Sequence, residues 1–247
     1  MTINKNERID DLQFEGLKII QNKNFFCFGI DSVLLSDFAK SLKSNGRVAD
    51  LGTGNGIVGL LLCKKSKLKE IIGVEIQEDV ADMAERSIKI NNLENKFKIL
   101  KVDINNIFKE NLLKKNSFDA VVMNPPYKEV GRGKTNENEN KLIARHEVKA
   151  TLTDFISTAS QLLKDKGELY LVHKPERIVD IINEMRKFKI EPKEMRLVYP
   201  YKNEAPSIVL IKGVKSGKKF FSVEKPLIIY EPNGEYTQEI REIYSEN

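Results

Sequence analysis

The residues with the most distinctive chemistry are Asn124, Pro125, Pro126 and Tyr127, which directly follow the apolar run Phe-Asp-Ala-Val-Val-Met at 118–123. Two consecutive prolines cannot extend a helix, so a strand through 118–123 must end in a stiff loop carrying an amide and an aromatic ring. Such a loop suits a flat amine. The amide oxygen of Asn124 and the carbonyl of Pro125 can each accept one N–H of a planar NH2 group, and Tyr127 can stack on the ring that bears it. A plain strand-terminating turn with Asn at its first position would carry the same four letters.

A second constellation lies upstream. Residues 47–51 (Arg-Val-Ala-Asp-Leu) read as a short buried strand that runs into Gly52-Thr53-Gly54-Asn55-Gly56-Ile57-Val58-Gly59 and then three leucines. That is strand, tight turn, helix. Glycines at 52, 54 and 56 permit close backbone approach, and the helix start offers free N–H groups, so the loop can wrap a small ligand. The spacing of Gly54, Gly56 and Gly59 also fits a dinucleotide fingerprint, so the glycines alone do not separate a nicotinamide enzyme from other nucleoside binders.

Carboxylates narrow the choice. Residues 71–75 (Ile-Ile-Gly-Val-Glu) form a strand ending in Glu75, where a ribose would lie, and the alternating run 97–102 delivers Asp103 to the same sheet edge, suited to an adenine amino group. Taken singly, each acid reads as a helix cap or a solvated loop residue. Taken together, Asp50, Glu75, Asp103 and Asn124 line one crevice at the carboxyl ends of parallel strands.

The order Asp-x-Gly-x-Gly-x-Gly, Glu, Asp, Asn-Pro-Pro-Tyr resembles the class I S-adenosylmethionine-dependent methyltransferases that modify amino groups, over residues 25 to 212. The resemblance implies a Rossmann-like α/β fold: a mostly parallel seven-stranded sheet, helices on both faces, and an antiparallel last strand. It implies S-adenosylmethionine as cofactor, with contacts at Asp50, Gly52, Thr53, Gly54, Asn55, Gly56, Glu75, Ile76, Asp103, Ile104 and Asn124. The segment before the glycine loop covers the methionine end of the cofactor in these enzymes, which adds Phe28, Gly29 and Asp31. The catalytic residues it implies are Asn124, Pro125, Pro126 and Tyr127.

The remaining elements must position these groups. A small strand is expected at 17–21 and a helix at 33–39 capped by Asp31 or Ser32, with Phe25 and Phe26 as core. The polar, glycine-bearing stretch 128–140 lacks periodicity and is expected to be a mobile loop, either ordering over a bound substrate or idle. Helices follow at 153–163 and 177–188. Strands at 194–199 and 207–211 form a final antiparallel pair, and 226–230 adds a short edge strand. The expected organisation is one methyltransferase domain over 1–247: a cover segment at 1–45, a cofactor-binding and catalytic core at 46–212, and an extension at 213–247.

Composition restricts the partners. No apolar run reaches bilayer length and the polar N-terminus has no signal-peptide core, so a cytoplasmic location is expected. Cys27 and Cys63 are far apart among apolar neighbours and read as buried thiols, and His146 and His173 lack metal-site spacing, so no metal is expected. A net charge of +5 permits nucleic-acid binding. Lys215, Lys218 and Lys219, in the connection that starts at Lys212, and Lys174 and Arg177 after a strand at 168–172 are candidate phosphate contacts, with a solvated lysine-rich surface as the alternative.

Within the class, the run Phe-Gly-Ile-Asp-Ser-Val-Leu-Leu at 28–35, Ala-Arg-His-Glu at 144–147 and His-Lys-Pro-Glu-Arg at 173–177 together resemble the bacterial tRNA adenine-N6 methyltransferases that modify valine tRNA next to the anticodon. This implies a tRNA substrate. Three readings stay open beside it: a protein-glutamine methyltransferase acting on release factors, since a carboxamide is also a planar amine; a ribosomal RNA amino-group methyltransferase; and a non-catalytic RNA-binding module on the same fold. The glutamine enzymes resemble a catalytic domain behind a separate helical domain, whereas 49 residues precede Asp50. A DNA adenine enzyme would need a target-recognition insert for which there is no room. A monomer is favoured, with the oligomeric state open.

Overall fold

The computed structural model describes residues 3–23, 29–127 and 150–245. Its frame is one sheet whose strands are, in chain order, β3 (Arg47–Leu51), β4 (Glu70–Glu75), β5 (Phe97–Lys101), β6 (Phe118–Met123), β7 (Leu163–His173), β8 (Ile190–Tyr199) and β9 (Ile208–Lys215). They lie side by side in the order β5-β4-β3-β6-β7-β9-β8, and two short strands, β10 (Ser222–Val223) and β11 (Leu227–Ile228), pair in parallel with β8. All pairings among β5, β4, β3, β6 and β7 are parallel, whereas β9 runs antiparallel to both of its neighbours. This is the mostly parallel seven-stranded sheet with an antiparallel last strand expected from the resemblance, extended by the two short strands beside β8.

Helices α1 (Ile30–Phe38), α2 (Ile57–Lys65), α3 (Glu78–Ile90), α4 (Leu152–Leu162), α5 (Ile178–Lys187) and α6 (Gln238–Ser245) complete the layers. Alternation along each strand sends side chains to two cores. Val48, Ile71, Val122 and Tyr170 pack with α1, α2 and the apolar residues Ile240 and Ile243 of α6, and Ala49, Ile72, Val121 and Leu169 pack with α4 and α5 on the other face. Asp50 and Glu75 continue the alternation of Val48 and Ile71, so both point to the α1–α2 face.

Three elements were missed or displaced in the sequence reading. A two-stranded antiparallel sheet, β1 (Glu7–Asp11) with β2 (Lys18–Asn22), stands apart from the main sheet and docks on α3. Its backbone N–H at Ile20 donates to Ser87 Oγ at 2.9 Å, and Arg86 donates to both carboxylate oxygens of Glu7 at 2.7 and 2.8 Å. Second, the extension ends in α6, which is anchored by a buried lysine: Lys65 Nζ donates to the Ile243 carbonyl at 3.0 Å and to Asp37 at 3.3 Å. Third, α4 is capped by Thr151 in a capping box with Asp154, and β7 starts at Leu163, so Lys166 and Gly167 lie inside the strand rather than between helix and strand.

Candidate functional site

The sheet order reverses at β3: from there the chain builds outward through β4 and β5, then returns to place β6 on the other side. Ligands of open parallel sheets bind at such a switch point, outside the carboxyl ends of the strands. Leu51 and Met123 are register partners across this seam, so the Gly52 loop and the Asn124 loop leave the sheet next to each other.

On the first side of the seam, the glycine loop is a closed local structure. Gly52, Gly54 and Gly56 have φ of 69°, 58° and 86°, the left-handed region that glycine alone enters without strain. Gly59 serves a different purpose: a Cβ there would lie 2.3 Å from the Phe97 ring, so its hydrogen lets α2 sit against β5. Around Gly54, in contrast, nothing lies within 4 Å of where a Cβ would be, which leaves an open cradle. Glu75, 6 % exposed, borders this cradle, accepting from the Gly54 N–H at 3.0 Å and the Gln77 N–H at 2.9 Å. Asp50, 1 % exposed, accepts from Thr53 Oγ1 at 2.6 Å. Burial pushes its carboxyl up to about 7; the nearby charge of Glu75 adds to this, and the bonds from Thr53 and the Gly59 N–H oppose it.

Asp103 sits two residues past β5 and accepts from the Asn105 N–H at 2.8 Å. Asn55 and Ile104 are buried, whereas Ile76 is 43 % exposed at the strand edge, an apolar surface where a flat ring can rest. Carboxylate acceptors and an uncovered glycine backbone form a donor and acceptor set that fits a ribonucleoside with a charged amino-acid tail, so the residues present suit S-adenosylmethionine.

Across the seam, the clamp draws on distant parts of the chain. Tyr127 donates its hydroxyl proton to Asp31 Oδ2 at 2.5 Å. Asn124 Nδ2 donates to the same Asp31 oxygen and to Ser32 Oγ, both at 3.3 Å. Asp31 and Ser32 were expected to cap α1, but its N-cap is Gly29, which makes no side-chain cap bond. The Asp31 carboxylate divides its oxygens: Oδ1 accepts from the first-turn Ser32 N–H at 3.1 Å and Oδ2 faces the clamp, and a Cβ on Gly29 would fall 2.7 Å from Oδ1. Burial, the Asp31 charge and the bond to Asp31 raise the Tyr127 phenol above its ordinary range.

His173, at the end of β7, lies beside Tyr127 with ring centroids 5.0 Å apart. It is 1 % exposed, and burial together with the Arg177 charge lowers it to about 4; its Nδ1 accepts from the Lys174 N–H at 2.8 Å. Lys174 Nζ stands 5.4 Å from the Tyr127 ring centre. Nothing in the local sequence marks His173 as a neighbour of the clamp, because the pairing of β6 with β7 places it there.

The five cationic candidates separate. Lys174 and Arg177, which pairs with Asp180 at 2.7 Å, follow the carboxyl end of β7, at the crevice. Lys215 is at the far end of antiparallel β9, where its Nζ donates to the Ser160 and Leu163 carbonyls at 2.7 and 2.8 Å. Lys218 and Lys219 follow it toward the amino end of β8, and the Lys218 carbonyl accepts from Lys193 Nζ. Lys215, Lys218 and Lys219 therefore lie at the sheet edge opposite the crevice, because β9 runs against its neighbours. Phe28, Cys27, His146, the 128–140 stretch and the 144–147 run fall outside the described residues. Cys63 is a buried free thiol, pushed up to about 12 by burial. Among the described residues no cluster of metal-ligating side chains is found, and no helix is long and apolar enough to cross a membrane.

Comparisons with known proteins agree with this geometry. The chain is 26 % identical over 94 % of both chains to a protein of Histophilus somni named tRNA1(Val) (adenine(37)-N6)-methyltransferase. It is 25 % identical to one of the same name in Tolumonas auensis, covering 92 % of this chain and 91 % of that one. Among solved structures, a predicted O-methyltransferase of Agrobacterium tumefaciens superposes with a TM-score of 0.69 at 22 % identity, covering 87 % of this chain and 95 % of that chain. M. jannaschii TYW2 in complex with AdoMet superposes at 0.58 and 15 % identity, covering 87 % of each. Those structures share the class I methyltransferase fold, and S-adenosylmethionine is the cofactor of this class. The methyltransferase small domain model matches residues 17–188, and the chain belongs to that family of S-adenosylmethionine-dependent enzymes.

Proposed function

We propose that this enzyme methylates N6 of an adenine in the tRNA anticodon loop, the adenine next to the valine anticodon. The observation that carries the reading is the placement of Asn124–Tyr127 against the Gly52 loop at the switch point, with the chain's carboxylates on one side and its amine clamp on the other. The shared name of the relatives in Histophilus somni and Tolumonas auensis supports the choice of adenine in tRNA.

Asp50, Glu75 and Asp103 would hold the polar atoms of the cofactor, the backbone of Gly52, Thr53, Gly54, Asn55 and Gly56 its closely approaching tail, and Ile76 and Ile104 its adenine. When bound, the cofactor would supply a sulfonium methyl: an N–C bond forms from the amine lone pair as the C–S bond breaks, the bonding pair stays on sulfur in the departing S-adenosylhomocysteine, and the amine loses its proton after transfer. Adenine N6 is a weak nucleophile because its lone pair is delocalised into the ring. Asn124 Oδ1 and the Pro125 carbonyl would each accept one N6 hydrogen, favouring a pyramidal nitrogen with its lone pair aimed at the methyl. Tyr127 would stack on the extruded base, which is cheaper to expose in a single-stranded loop than in a duplex. Lys174 and Arg177 lie where they can meet the flanking phosphates.

The test is transfer of labelled methyl to unmodified total tRNA, followed by nucleoside digestion, with release factor offered in parallel. N6-methyladenosine is the expected product. Label on release factor with none on tRNA would replace adenine by glutamine, and label on neither would overturn the reading.

A further inference from the structure

Asn124 has two chemically opposite ends, and the reaction needs its oxygen. An amide that presented its NH2 group would point hydrogens at the hydrogens of the substrate amine. Backbone geometry does not decide between the two orientations, because rotation by half a turn exchanges oxygen and nitrogen at nearly the same positions. The surroundings must decide. In this structure Nδ2 faces Asp31 Oδ2 and Ser32 Oγ, each at 3.3 Å. The reversed amide would set its oxygen against the carboxylate of Asp31, a buried residue, placing two acceptors face to face with no hydrogen between them.

The same carboxylate oxygen takes the Tyr127 hydroxyl at 2.5 Å, so a single group orients both ends of the tetrapeptide. Two local features support this placement. The glycine at 29 leaves room for the carboxylate, which a side chain there would meet at 2.7 Å. In the first turn of α1 the Ser32 N–H occupies Asp31 Oδ1 at 3.1 Å, which leaves Oδ2 to face the clamp.

We infer that Asp31 is a positioning residue of the methyl transfer, acting with Ser32 to hold Asn124 with its oxygen toward the substrate amine and Tyr127 in its stacking pose. It touches neither the reacting nitrogen nor the methyl. This differs from the contact with the methionine end of the cofactor that resemblance assigns to Asp31, and it rests on the amine-clamp reading of Asn124.

Three variants separate the roles: Asp31→Leu, of similar size with both acceptors removed; Asp31→Asn, which keeps one acceptor oxygen; and Tyr127→Phe, which removes only the phenol bond. Turnover at saturating S-adenosylmethionine should fall about 10- to 100-fold in Asp31→Leu, as expected when a reacting group is misplaced. Asp31→Asn should recover most of that loss, and Tyr127→Phe should lose less than Asp31→Leu. The dissociation constant for S-adenosylmethionine, measured by calorimetry without tRNA, should be unchanged in all three. Turnover retained with weakened cofactor binding would make Asp31 a cofactor ligand and overturn the inference.

A further readout needs no methyl acceptor. The side-chain NH2 resonances of Asn124, assigned by their loss in Asn124→Asp, should shift and exchange faster with water in Asp31→Leu. Unchanged resonances in a folded variant would overturn the inference. If wild-type chain methylates no tRNA but these resonances move, the substrate reading fails while the positioning role stands.

Discussion

The two sides of the seam are built differently. The cofactor side is local: Asp50 is bonded by Thr53, and Glu75 by Gly54 and Gln77, within a stretch of 28 residues that includes one crossover helix. The clamp side is assembled from pieces 92 and 96 residues apart, Asn124 with Ser32 and Tyr127 with Asp31, plus His173 from a third element, the end of β7. A local site can be preorganised by its own turn geometry. A site of distant parts depends on the whole sheet being in register, and a small change in one part is felt by the others. Substitutions on the two sides should therefore differ in kind: losses of binding on one side, losses of rate on the other.

The largest effect is expected at Asn124. Asn124→Ala removes the acceptor proposed to meet the amine, and turnover should drop roughly 10²- to 10³-fold, the range seen when one preorganised polar contact to a transition state is deleted. Cofactor affinity should fall far less than turnover. Equal losses in both quantities would erase the distinction between the two sides.

Next is Glu75→Ala, which removes a carboxylate bonded to two backbone N–H groups at the cradle. It should weaken S-adenosylmethionine binding by about tenfold or more, on the scale of a hydrogen bond to a charged group, with turnover at saturation largely retained. Isothermal titration beside saturation kinetics reads both. A turnover loss without a binding loss would move Glu75 to the clamp side.

This difference also explains what was legible in the sequence. Turn glycines, strand-terminal acids and the double proline act through their immediate neighbours, so reading along the chain offered Asp50, Gly54, Glu75 and Asn124 as candidates, and the sheet brings them to one seam. Asp31 reads as a helix cap, because Asp at a helix start is normally one, and by resemblance as a cofactor contact. Only the tertiary pairing of α1 with the loop after β6 reveals its other role. His173 stands in the 173–177 run that carries the resemblance, but its place beside Tyr127 could not be read, since it follows from strand order. The phosphate contacts expected at Lys215, Lys218 and Lys219 rested on their clustering along the chain; the antiparallel course of β9, though expected, was not followed to its consequence, which is that these lysines sit at the opposite edge. The α6 helix escaped notice because Gln238–Ser245 is short and mostly polar, and the tertiary tie to Lys65 supports it.

The third effect concerns stability. A carboxyl raised to about 7 in the folded chain from an ordinary value of 3.8 binds more protons folded than unfolded between these pH values. Stability should therefore decline as pH rises from about 4 to about 7 and stay reduced above. Asp50→Asn can keep the local bonds, its oxygen accepting from the Gly59 N–H while its NH2 donates to Thr53 Oγ1. Without cofactor, that variant should melt roughly 5 °C above wild type at pH 8, the gap closing toward pH 4. A variant less stable than wild type at pH 8 would mean that Asp50 is charged without strain. His173 works at the other flank: lowered to about 4, it opposes folding when protonated, so its stability contribution is lost as pH falls from about 6.5 to 4.

The smallest effect compares the two ends of the sheet. Lys174 stands near the Tyr127 ring at the crevice, whereas Lys215 is occupied with the carbonyls of Ser160 and Leu163 at the far edge. If RNA enters at the clamp, Lys174→Ala should lower the salt slope of tRNA affinity by about one counterion. Lys215→Ala should leave that slope unchanged and lower the melting temperature instead, because the α4 carbonyls lose their donor. Both readouts are needed, since a loss of affinity in Lys215→Ala alone could come from a loosened sheet. A changed slope in a stable Lys215→Ala protein would extend the RNA path around the sheet to the edge opposite the clamp. An unchanged slope in Lys174→Ala would separate the charge beside Tyr127 from phosphate recognition and leave it as a partner of the ring.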